Sequence, residues 1–183
     1  MNNTNPFIYS DDNKRYHTLN YYNKSSFNSK VFKAVIDAGF TCPNKDGTKG
    51  TGGCIYCMGG SGYFTEKSDG EIYDSVKRQL AAEKERIYKK HPDSLITAYF
   101  QANTNTYAPV ATLKEAYTAA LDFGVHGISI GTRADCLPDD VIALLCDINS
   151  KTRLTVELGL QTIHDKSAQI INRCYTYDEF LEG

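Results

Sequence analysis

Short β-prone runs and amphipathic helical patterns alternate along the chain from residue 31, and this alternation restricts the fold more than any other feature. The β-prone runs span residues 31–37, 95–100, 127–130 and 154–160. Between the first two, apolar side chains recur on one helical stripe at Ile72, Val76, Leu80 and Ile87. Strands that alternate with helices build parallel βα units, so the sequence predicts an α/β fold, either an open doubly wound sheet or part of a barrel. In both, ligands bind where the carboxyl ends of the strands meet the following loops.

Capping patterns predict where the helices begin and end. Three pairs match the capping box, in which two side chains satisfy the first-turn N–H groups: Ser68 with Glu71, Thr112 with Glu115, and Thr176 with Glu179. Gly124 is expected to end the second helix, and Pro138 to lie near the first turn of the third. Gly183 follows the last pattern after barely a turn and a half. Because so short a helix is marginal, we expect the natural chain to continue beyond Gly183.

Length and charge exclude several classes of protein. The 183 residues suit one domain, which we place at residues 31–183. A net charge of −2 gives no overall attraction to nucleic acid or to anionic membranes. No apolar run approaches the roughly 18 residues of a membrane span, and the first residues lack an apolar signal core. We therefore expect a cytoplasmic protein with no membrane partner.

Residues 1–30 form a polar, aromatic N-terminal arm with basic side chains at Lys14, Arg15 and Lys24. A basic, aromatic segment can bind a nucleic acid strand by pairing with phosphates and stacking on bases. It can also bury its rings on the domain. The packing interpretation is favoured.

Three of the six cysteines crowd into one loop after the first predicted strand. Cys42, Cys54 and Cys57 have the spacing C-x11-C-x2-C, and the Gly52–Gly53 pair stands beside Cys54. Glycine lets the backbone approach a cluster closely and donate N–H groups to its sulfurs.

The spacing alone leaves three interpretations of this loop. A redox disulfide between Cys54 and Cys57 leaves Cys42 without a role. A structural zinc ion needs a fourth ligand, which Cys136, Cys146 or Cys174 would have to supply. An iron–sulfur cluster held by three thiolates keeps one iron open for a further ligand, as chemistry at a metal requires.

Five collinear motifs carry a resemblance that extends over nearly the whole chain from about residue 14. They are KRYHTLNYY, CPNKDGTKGTGGCIYC, YFQANTNTYAP, ISIGTRADCLPDDVIALL and VELGLQTIHDKS. With them the chain resembles the radical S-adenosylmethionine (SAM) superfamily. It is similar to an uncharacterised branch with a long first cysteine spacing, related to the elongator catalytic subunit and to oxygen-independent coproporphyrinogen dehydrogenase.

The resemblance implies a partial (β/α)6 TIM barrel, of which this chain supplies about four of six units. It implies a [4Fe–4S] cluster on Cys42, Cys54 and Cys57, with SAM chelating the open iron. Tyr56 matches an aromatic position beside the adenine. Gln101 and Asn103 occupy the place of the segment that binds the SAM amino group, although the local sequence differs.

Four more residues are candidate SAM contacts. Arg133 can pair with a carboxylate, a phosphate or SAM, or with Asp135 merely to shape the loop. Glu157 and Gln161 are four residues apart and share a strand face, where SAM ribose and amine groups would supply the partners that a carboxylate needs. Arg173 matches a contact to the SAM carboxylate in the coproporphyrinogen dehydrogenase relatives. There Cys174–Tyr175 replaces the usual Gly–His.

The resemblance implies a radical SAM enzyme, of oxidoreductase or transferase type, that reductively cleaves SAM to a 5′-deoxyadenosyl radical. Its catalytic residues and substrate cannot be read from the sequence. The alternative is a non-catalytic module that holds zinc or an electron-transfer cluster on the same three cysteines. An electron donor such as flavodoxin or ferredoxin is the implied partner. Kinship with the elongator enzyme suggests RNA as substrate, while a small molecule or a protein is equally open. Such enzymes continue for about a hundred further residues, so this part is expected to lack a finished active site.

Overall fold

Four parallel strands form the single sheet in this computed structural model, which describes residues 14–57 and 68–183. They are β1 (Val31–Ile36), β2 (Leu95–Phe100), β3 (Gly127–Thr132) and β4 (Arg153–Leu158), and they lie side by side in chain order. An open doubly wound sheet reverses its strand order at a switch point, whereas a barrel wall keeps the strands in sequence. The α/β prediction is confirmed, and the strand order is that of part of a barrel, as the resemblance to the radical SAM superfamily implies.

The helices are α1 (Leu19–Phe27), α2 (Ile72–Tyr88), α3 (Val110–Phe123), α4 (Asp139–Lys151), α5 (Asp165–Ile170) and α6 (Tyr177–Glu182). A short 3-10 helix, Ala134–Cys136, precedes α4. In the part of the chain that the structure describes, no helix has the length and hydrophobicity that a bilayer crossing requires.

One of the three predicted capping boxes forms. Thr176 and Glu179 bond reciprocally at the start of α6, and Gly124 ends α3 in the left-handed conformation with φ +81°. The other two are wrong: α2 is preceded directly by Glu71, which makes no side-chain cap, and α3 begins two residues before Thr112. The reason at α3 is Pro109, whose fixed φ places the first helical residue at Val110.

The two faces of the sheet differ in polarity. The face toward α2, α3 and α4 is apolar, with Ala34, Ile36, Ala98, Phe100, Ile128 and Ile130 all fully buried. Each of the larger side chains stabilises the fold by about 1.5–3 kcal/mol. The opposite, inner face carries Lys33, Thr97, Tyr99, Ser129, Thr155 and Glu157. Polar side chains there leave the inner face suited to binding rather than to a dry core.

Helix α1 covers the amino-terminal end of this inner face. The ring of Phe27 meets His126 edge-on at 4.5 Å, and the Arg153 guanidinium lies over Tyr22 and Phe27 at 5.2 and 5.0 Å. A cavity of about 140 Å³ remains between α1 and the sheet. For these two rings the predicted packing on the domain is observed, and the segment is helical rather than irregular; residues 1–13 lie outside the described part.

Candidate functional site

A cavity of about 160 Å³ at the carboxyl ends of the strands collects most of the residues singled out from the sequence. Its walls include Cys42, Cys54, Cys57, Tyr56, Asn103, Arg133, Gln161 and Arg173. Gln101 and Glu157 are not among its lining residues. The structure therefore brings together eight of the ten candidates and separates two.

The cysteine loop, residues 42–57, is folded by its own backbone. The Gly53 N–H donates to the Asn44 carbonyl oxygen at 2.8 Å, and the Cys57 N–H donates to the Cys54 carbonyl at 2.8 Å. Gly52 and Gly53 have φ +79° and +78°, which a side chain would strain. None of the six cysteines is in a disulfide, so the predicted alternative of a Cys54–Cys57 bridge is not formed in this structure.

A short segment after α5 supports the cysteine loop from outside. We call residues 171–175 the buttress. The Asn172 side-chain amide donates to the Gly53 carbonyl at 2.8 Å, and the Ile55 N–H donates to the Ile171 carbonyl at 3.1 Å. Asn172 and Cys174 both have left-handed backbones, with φ +54° and +59°. Strain of this kind persists only where the surroundings enforce it, and it clusters at functional sites.

Asn44, which the sequence analysis missed, links the loop to the buttress. Its side chain is fully buried, and its amide nitrogen donates to the Asn172 carbonyl oxygen and to the Cys54 sulfur, the latter at 3.5 Å. The only signal in the sequence was its place two residues after Cys42. A buried amide directed at a cysteine sulfur becomes visible only once the loop is folded.

Arg173 points its guanidinium at backbone oxygens rather than into the cavity. The side chain is 1% exposed, and it donates to the carbonyls of Leu160 and Thr162 at 2.7 and 2.6 Å. Its Nε and Nη2 atoms both donate to the Tyr175 carbonyl. In this structure Arg173 ties the loop after β4 to the buttress, so a bidentate contact to the SAM carboxylate would require these bonds to rearrange.

Arg133 makes the Arg–Asp pair that was one of its two predicted roles. Its Nε and Nη2 donate to the two Asp135 oxygens at 2.8 and 2.7 Å, and its Nη1 donates to the Arg173 carbonyl at 2.9 Å. Burial opposes ionisation of Asp135, but Arg133 and Lys49 outweigh it and hold the carboxyl pKa below its usual value. The Arg133 and Arg173 guanidiniums lie 4.5 and 4.3 Å from the Tyr175 ring centroid. The cavity wall therefore carries two fixed positive charges and one carboxylate partner.

The loop after β2 is strained beside the cavity. Ala102 and Asn103 have φ +66° and +62°, and Gln161 at the opposite wall has φ +61°. Asn103 accepts a hydrogen bond from the Lys45 ammonium at 2.6 Å and donates to the Phe40 carbonyl at 2.7 Å. Asn103 and Gln161 thus hold side-chain amides at the cavity wall, and an amine could take the place of Lys45 as donor to the Asn103 oxygen.

Glu157 finds its partners on the sheet itself. Its carboxylate forms an ion pair with Lys33, and it accepts a hydrogen bond from the Tyr99 hydroxyl at 3.0 Å. The Lys33 ammonium also lies 3.8 Å from the Tyr99 ring centroid. Burial and the Glu157 carboxylate raise the pKa of Tyr99 to about 12. The expectation that a bound cofactor must supply the partners of Glu157 is therefore not met in this structure.

The donor set at the cavity fits an iron–sulfur cluster by its chemistry. Three free thiols line one cavity, and thiolates are the usual ligands of such clusters. Asn44 directs an N–H at one sulfur, and Arg133 places positive charge beside Cys42. Within the described residues, no three His, Cys, Asp or Glu side chains converge closely enough to hold a single metal ion.

The fold and this site define a class: parallel α/β proteins with a three-cysteine loop at the carboxyl ends of the strands. A family model described as the Radical SAM superfamily matches residues 45–183, which include Cys54 and Cys57 and begin three residues after Cys42. The chain belongs to the radical SAM superfamily.

Several curated proteins are similar to this chain. The uncharacterized protein YtqA of Bacillus subtilis (strain 168) is 48% identical over 185 residues, covering 100% of this chain and 56% of the relative. Protein YhcC of Escherichia coli (strain K12) is 38% identical over 153 residues, or 82% of this chain and 47% of that protein. The uncharacterized protein MJ0486 of Methanocaldococcus jannaschii is 33% identical over 169 residues, or 88% and 49%. The chain spans about half the length of these relatives.

Proposed function

We propose that this chain forms the cluster-binding part of a radical SAM enzyme. Cys42, Cys54 and Cys57 would hold a [4Fe–4S] cluster, leaving one iron open to the amine and carboxylate of SAM. The observation that carries the proposal is that the three thiols of a C-x11-C-x2-C loop border one cavity at the carboxyl ends of parallel strands. When bound, the reduced cluster supplies the electron that cleaves SAM to a 5′-deoxyadenosyl radical.

The chain's own residues supply binding and orientation. Asn103 and Gln161 present amides at the cavity wall, and Tyr56 lies beside the cysteines, where its ring can stack on an adenine. Burial, together with the neighbouring Cys54, raises the pKa of Tyr56 above its ordinary value. The arginines hold the loops around the cavity. Cleavage consumes one electron per SAM, so a one-electron donor such as flavodoxin or ferredoxin is the proposed partner.

The substrate stays open within this proposal. The cavity under α1 and the polar inner face offer hydrogen-bonding groups to a substrate inside the barrel. RNA is the substrate that the resemblance suggests, and a small molecule or a protein is equally open. Tyr22 and Phe27 of the arm face the sheet, so they do not supply a stacking surface for it.

Anaerobic reconstitution with iron and sulfide tests the proposal. We expect about four irons per chain, an electron paramagnetic resonance signal on reduction, and a change of that signal when SAM is added. Formation of 5′-deoxyadenosine under dithionite would establish cleavage. Tight uptake of one zinc ion without a cluster would instead establish the non-catalytic metal module. A cluster whose signal does not change when SAM is added would establish an electron-transfer site.

A further inference from the structure

Asn44 occupies a buried position between the cysteine loop and the buttress. It is 0% exposed, and its amide nitrogen faces two acceptors, the Asn172 carbonyl oxygen and the Cys54 sulfur. The Asn44 carbonyl oxygen in turn accepts the Gly53 N–H at 2.8 Å. Both the backbone and the side chain of Asn44 therefore help to place the Gly53–Cys54 segment.

The amide can take only one orientation. Exchanging its oxygen and nitrogen would set the side-chain oxygen against the Asn172 carbonyl, which has no proton to give. In the observed orientation the side-chain oxygen points toward Gly50, where a Cβ atom would lie 2.4 Å from it. That oxygen is buried and has no hydrogen-bond partner among the described residues.

The two contacts of the amide lie on its nitrogen side, where one N–H fixes the buttress and the other is directed at Cys54. A hydrogen bond to a ligand sulfur offsets negative charge on a cluster, and the reduced cluster carries one more negative charge than the oxidised form. An N–H directed at Cys54 therefore favours reduction.

We propose that Asn44 is a positioning residue that donates to the Cys54 sulfur and raises the reduction potential of the cluster held by this loop. The proposal rests on the function proposed above. Arg133 does not donate to a cysteine sulfur, because its N–H groups are directed at Asp135 and at buttress carbonyls.

The test compares Asn44→Leu, which keeps the approximate shape and removes both N–H donors, with a matched control, Asn23→Leu. Asn23 is 7% exposed and lies on α1, at the opposite end of the sheet. Each reconstituted protein is titrated with reductant at controlled potential, and the reduced cluster is counted by electron paramagnetic resonance. At a fixed potential we expect the ratio of reduced to oxidised cluster to fall about three- to tenfold in Asn44→Leu, where tenfold corresponds to about 59 mV for one electron. The control should match the wild type.

The outcomes separate the two proposals. A wild-type protein that binds zinc and no cluster refutes the proposed function. A wild-type cluster with an unchanged potential in an iron-loaded Asn44→Leu protein refutes only the role of Asn44.

If Asn44→Leu holds no cluster, the role of Asn44 is tested in the wild-type protein. Asparagine labelled with ¹⁵N at the side-chain amide is incorporated into the wild-type protein. Pulsed electron paramagnetic resonance then measures the coupling between this nitrogen and the electron spin of the reduced cluster. Asn103 also borders the cavity, so the same measurement on Asn103→Ala removes its contribution. A coupling that persists there supports donation from Asn44, and its absence overturns the proposal.

Discussion

Lys33 and Glu157 form an ion pair across the inner face of the sheet, joining the first strand to the last. The two residues are 124 positions apart in the chain. Tyr99, on β2, one of the two strands between them, donates to the same carboxylate and lies under the same ammonium. This group spans the sheet directly below the level at which Gly159 and Gln161 line the cysteine cavity.

Replacing Glu157 by Gln should lower the pKa of Tyr99 from about 12, since the phenol would no longer donate to a charged acceptor. Burial is the larger cause, so the pKa should stay above the ordinary tyrosine value of about 10. Nuclear magnetic resonance of ¹³C-labelled tyrosine against pH, with Tyr99→Phe to assign the signal, measures this. The loss of folding free energy should be below about 1 kcal/mol, because the Lys33 and Glu157 side chains are 38% and 35% exposed. A Tyr99 signal that titrates identically in both proteins would contradict the pairing.

The ionisation of Asp135 makes the free energy of unfolding depend on pH in the acid range. The pKa of Asp135 in the folded protein lies below the ordinary aspartate value of 3.8, so its stabilising effect is fully present above that pH and is lost as the pH falls through the folded pKa. Asp135→Asn should cost about 3 kcal/mol at pH 7, because it leaves the buried Arg133 without its carboxylate. Urea unfolding at several pH values should show the gap between wild type and variant narrowing below about pH 4. A constant gap down to pH 2 would argue against the ion pair.

Replacing Asn172 should weaken the retention of cluster iron by the cysteine loop more than it lowers the stability of the whole fold. In Asn172→Gly the left-handed backbone is kept and the bonds to Gly53 and Thr51 are lost; Asn172→Ala also strains the backbone. We expect cluster iron to pass to a chelator about tenfold faster in both, with the alanine variant also less stable by about 1 kcal/mol. Asn28→Gly, at another left-handed asparagine, is the control and should release iron at the wild-type rate. Equal release rates in all four proteins would show that the buttress does not hold the loop.

The strands and most helices could be predicted because their signals are local. Apolar periodicity marks α2, and Gly124 marks the end of α3 through its positive φ. The capping boxes at Ser68 and Thr112 did not form. At α3 the reason is local, because Pro109 starts the helix before Thr112 is reached.

The partners of the site residues could not be predicted, because they come from remote parts of the chain. A carboxylate at Glu157, inside a strand, predicts that it has a partner, but nothing in the sequence identifies that partner as Lys33. Arg173 is equally suited to a carboxylate or to carbonyl oxygens. Only the path of the buttress brings the Leu160 and Thr162 carbonyls to it. Asn44 resembled an ordinary turn residue until its burial became visible.

Cluster assembly should depend on the three cysteines of the loop and not on the other three. Replacing Cys42, Cys54 or Cys57 by Ala should abolish assembly of a four-iron cluster, since each supplies one of three protein ligands. Cys146→Ala is the control, because Cys146 is exposed on α4 and should leave iron and sulfide content at the wild-type level. Burial, with Asp135 nearby, raises the pKa of Cys136 to about 12, so in apoprotein at pH 8 Cys136 should be alkylated far more slowly than Cys146. Mass spectrometry after timed alkylation measures the order in which these thiols react. Loop thiols that are protected from alkylation only after reconstitution are thereby identified as cluster ligands. A Cys54→Ala protein with full cluster content would remove Cys54 from the ligand set.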